Sequence, residues 1–74
     1  MKIAVNIREA DAVHVMAFVD GTALHADRPT SHGQLTLESL AAMLLEDVAL
    51  AVRRPGSWEG SKMGALLEAH GYTV

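Results

Sequence analysis

The chain has no cysteine, two prolines and, as aromatics, one Phe, one Trp and one Tyr in 74 residues. Without cysteine there is no disulfide to staple a small fold and no thiolate to hold zinc. With three aromatics, a core must be assembled mainly from Ala, Val, Leu and Met, which bury less area per side chain. Basic residues are also few: six Lys and Arg stand against nine Asp and Glu, for a net charge of −3. That balance disfavours direct nucleic-acid binding, which needs clustered positive charge. Long apolar runs are missing too. Residues 40–52 are interrupted by Glu46 and Asp47 and are too short to span a bilayer. The N-terminal stretch meets Asn6, Arg8 and Glu9 before any signal-peptide apolar region can form. A cytoplasmic protein without membrane association is the expectation.

What is present is apolar bulk. Half of the residues are hydrophobic (50%), which argues for a folded chain. Its length implies one domain, residues 1–74. A chain of this size buries roughly 60–65% of its unfolded surface, so a partner helps to stabilise it.

The pattern predicts an α+β fold of two layers, ordered β-β-β-α-α, with a three-stranded antiparallel meander covered on one face by two helices. Residues 2–8 alternate, with Ile3, Val5 and Ile7 on one side. Residues 13–19 are apolar on both sides, as in a central strand. Asp20-Gly21 then reads as a two-residue hairpin turn needing positive φ, and residues 22–27 as the return strand. This register places Val13, Val15, Ala17, Val19, Leu24 and Ala26 on the core face. His14, Met16, Phe18, Ala23, His25 and Asp27 fall on the other. Thr36 reads as the N-cap of a helix stapled by Leu35 and Leu40, with a stripe of Leu37, Leu40, Ala41, Leu44, Val48, Ala51 and Val52. Leu45 widens that stripe, and Pro55-Gly56 ends the helix. A second helix is expected from about Ser61 to His70, with Gly71 at its C′ position and residues 72–74 as a short final strand or a docked tail.

Several constellations invite a chemical reading. His14, His25 and Asp27 would meet across the hairpin and offer two imidazoles and a carboxylate to Zn²⁺ or Fe²⁺, the basis of a small metal-dependent enzyme. Their spacing matches no recognised ligand motif, so a simple His–Asp pair is favoured and no metal or cofactor is expected. Asp27, Ser31 and His32 have the residue types of a triad but crowd into one loop without a nucleophile elbow. Glu46 and Asp47 are adjacent on a helix and so point apart. The chain is expected not to be an enzyme.

Apolar residues beyond the needs of the core point instead to contact. Met16 and Phe18 sit on the sheet face opposite the helices, and Met43 and Leu50 form a second seam on the first helix. Trp58, in the joint of residues 53–64, is expected to fold back and cap the core, while remaining available as an interface anchor. Gly60 and Gly64 permit close backbone approach there. Met16, Phe18, Met43, Leu50 and Trp58 are thus the expected interaction surface of a non-enzymatic protein–protein module. It would work as a homodimer or docked subunit, in a regulatory or accessory role suited to mobile genetic elements. The rival is an acidic inhibitor occupying a partner's nucleic-acid-binding site, of the phage counter-defence type. The carboxylates, spread from Glu9 to Glu68, neither support nor exclude it.

Overall fold

Glu9 and Asp11 open a helix where the sequence suggested a turn and a strand. A computed structural model describes residues 1–25 and 27–74. It contains α1 (Glu9–Gly21), a short 3₁₀ helix (Thr22–His25), α2 (Leu37–Arg53) and α3 (Trp58–Ala69). No strand occurs among the described residues. The three-stranded α+β meander is therefore corrected to an all-helical chain. By its contacts the chain divides into two compact units, Met1–Leu40 and Ala41–Val74.

In the first unit, Met1–Arg8 is exposed and free of regular structure. Its alternation is strand-like, but a strand needs a partner, and both expected partners are helical. Residues 12–19 are apolar all round except for His14, so their periodicity does not separate a buried strand from a helix. The first turn decides. Arg8 is extended, and its carbonyl accepts from the amides of Asp11 and Ala12. Glu9 and Asp11 place negative charge at the positive end of the helix. Arg8 Nε also donates to Asp11 Oδ2 at 2.9 Å, an exposed pair that contributes a few tenths of a kcal/mol.

The hairpin turn is likewise corrected. Gly21 is the last residue of α1, and positive φ occurs only at Gly33 and Gly71 among the described residues. The chain leaves α1 through Thr22, which is 3% exposed. Its hydroxyl donates to the Val19 carbonyl at 2.6 Å and accepts the Leu35 amide at 2.9 Å. Val19 and Leu35, whose backbone groups it binds, are buried as well. One hydroxyl thus ties the end of α1 to a segment thirteen residues on. The expected cross-strand partner Ala26 lies outside the described residues.

Helix α2 begins as its sequence says. The Ser39 amide donates to Thr36 Oγ1 at 3.0 Å, and the Thr36 amide donates to Ser39 Oγ at 2.8 Å. This is a reciprocal capping box with Ser in place of Glu at the third helical position. Pro55-Gly56 lies just beyond its end at Arg53.

Helix α3 starts three residues before the expected Ser61. Ser57 is its N-cap: the side chain accepts the Gly60 amide at 3.1 Å and donates to the Arg54 carbonyl at 2.7 Å. At the other end Gly71 has φ +93°. The Gly71 amide donates to the Glu68 carbonyl and the Tyr72 amide to the Leu67 carbonyl. These two bonds form the expected Schellman motif. The tail after it carries no strand.

Candidate interaction surface

Helix α2 displays the face that its sequence suggested it would bury. At 100° per residue, Leu37, Ala41, Leu44, Leu45, Val48 and Val52 share about 100° of the circumference. Val48 is half-buried and the other five are exposed, with Leu45 at 52% and Val52 at 65%. The covered flank is the neighbouring one. It holds Leu40, Met43, Asp47 and Leu50, all half-buried, and Ala51, which is 2% exposed.

In the second unit, the first turn of α3 lies against carbonyls at and just beyond the end of α2. A Cβ on Gly60 would sit 2.6 Å from the Arg54 carbonyl oxygen and 2.7 Å from that of Leu50. Contact this close is possible because residue 60 carries no side chain. Met43 and Leu50, expected as a free seam, belong to the covered flank. Leu44, Leu45 and Val52, assigned from sequence to the core, are left outside. The apolar arc of α2 spans more than half of its circumference, and that excess was the available signal.

Trp58 does not cap the core. It is the first residue of α3 and is 70% exposed. In the first unit, Met16 and Phe18 are exposed but lie on a helix, not a sheet. Two residues apart on a helix, they point about 200° from one another and do not share a face. Ile3, Val5 and Ile7 are exposed on the segment before α1.

The chemical constellations lose their geometric basis. His14 lies within α1 and His25 ends the 3₁₀ helix, so the cross-strand meeting with Asp27 does not exist. No group of three or more His, Asp or Glu side chains is placed to hold a metal ion among the described residues. Ser31 Oγ and His32 Nδ1 are 2.7 Å apart, adjacent in sequence and exposed. A depression of about 320 Å³ in the second unit is lined by small residues, among them Ala51, Gly60, Gly64 and Ala65. Among the described residues, Glu68 is the one ionisable side chain in its wall. No helix among the described residues is long and apolar enough to cross a membrane.

No known family, curated protein or solved structure matches the chain.

Proposed function

We propose that this protein is a non-enzymatic interaction module whose exposed apolar surface is covered by a protein partner. One observation carries the reading. Among the described residues, Val19, Leu35 and Ala51 are the buried hydrophobic ones, while sixteen large hydrophobic side chains stand exposed, from Met1 to Val74. Scattered apolar residues are normal on a surface. A continuous stripe along a helix is not, and such patches mark contact sites. Burying apolar area contributes about 25 cal/mol per Å², so covering several leucines and valines adds several kcal/mol to a fold with few buried side chains of its own. A cytoplasmic setting accords with the lack of cysteine.

The test combines an apolar dye with mass. The purified chain should bind anilinonaphthalene sulfonate at low micromolar concentration, and added partner should displace the dye. A chain that unfolds cooperatively, stays monomeric and binds no dye has closed its own surface. That result overturns the reading.

A further inference from the structure

We infer that the occupant of the exposed α2 stripe is a second copy of this chain, packed antiparallel along α2 about a two-fold axis. The inference rests on the interaction-module reading and names its partner. In a two-fold interface, if residue i touches residue j, then j touches i. The stripe meets that condition in its spacing. Reversed end for end, Leu37 falls opposite Val52, Ala41 opposite Val48, and Leu44 opposite Leu45. Each end row then holds a Leu–Val pair and each inner row an Ala–Val pair, with four leucines meeting at the axis. The Ala–Val rows suit the 8–10 Å approach of packed helices. The matched face runs about 22 Å along the helix.

Charge selects the same orientation. Glu38 stands at the start of α2 and Arg53 at its end, both exposed and both on the same flank of the stripe. Antiparallel packing brings like flanks together. It sets Glu38 level with residue 51 of the other copy, about 3 Å along the axis from Arg53. A carboxylate and a guanidinium therefore meet at both ends of the pair. In-register parallel packing would instead bring unlike flanks together and leave Glu38 and Arg53 at opposite ends of the pair, and would align the two helix dipoles.

Because the chain has no cysteine, introduced thiols report the pairing without background. Single Ala41→Cys and Val48→Cys variants are mixed and oxidised mildly. The antiparallel pair cross-links one variant to the other, and each variant alone cross-links poorly, since its own two copies sit about 10 Å apart along the axis. Light scattering of the wild type at about 100 µM should give the dimer mass. Leu45→Glu, which introduces a charge twice per dimer, should weaken association roughly 100-fold. The two cysteine substitutions change little volume, so they report even where Leu45→Glu disturbs folding. Efficient cross-linking of Ala41→Cys to itself overturns the antiparallel arrangement. A dimer with neither cross-link overturns α2 as its face. A monomer at about 100 µM that still binds the dye rules out a second copy and leaves the interaction-module reading standing. A monomer that binds no dye overturns both.

Discussion

A methyl group added at Gly60 would meet two carbonyl oxygens and the Ser57 hydroxyl at 2.6 to 2.8 Å, whereas one added at Gly64 would meet only Val74 Cγ2 at 3.7 Å. Both glycines are buried and sit one turn apart on α3. Only the first contact forces backbone to move. Gly60→Ala should therefore cost about 1–3 kcal/mol despite alanine's better helix propensity. Gly64→Ala should stabilise by up to about 1 kcal/mol. Urea unfolding of the two variants checks both signs. A further residue-scale test concerns Thr22. Thr22→Val keeps the shape but removes the acceptor of the buried Leu35 amide, at a cost of about 1–3 kcal/mol. Hydrogen exchange at Leu35 should quicken in that variant more than exchange within α3.

The hairpin and the helix make opposite demands on Gly21. A type I′ turn needs positive φ there and penalises any Cβ. In α1 the same residue is helical, and nothing lies within 4 Å of an added Cβ. Gly21→Ala should thus raise stability by some tenths to about 1 kcal/mol and increase helical circular dichroism. A loss of more than about 1 kcal/mol would restore the hairpin. Ends of elements were legible where a side chain or a breaker sets them locally: Thr36 before α2, Pro55 after it, Gly71 after α3. The start of α3 was missed although Ser57 was available as a cap. Trp58 and Gly60 made residues 53–64 look like a joint, because composition hides a cap whose bond is to a glycine amide. α1 was misread for a different reason. A run apolar on all sides has no period to read, and the charges that favour the helix, Glu9 and Asp11, precede the run.

At the scale of the whole molecule, apolar surface stands exposed in both units. Its placement is not the expected one. Of the five residues expected to form the surface, Met16, Phe18 and Trp58 are exposed, while Met43 and Leu50 are half-buried. The sequence by itself determined how many apolar side chains there are, that α2 carries them around more than half its circumference, and where α2 begins and ends. Those properties depend on residue type and near neighbours along the chain. Only the tertiary structure decided which side of α2 is covered. At the end of α2, Gly60 lets the first turn of α3 approach the Leu50 and Arg54 carbonyls, and a glycine has no side chain to register in a hydrophobic pattern. The tertiary structure also decided that residues 2–8 form no strand, since pairing depends on a neighbour in space and the expected partners are helical in the structure.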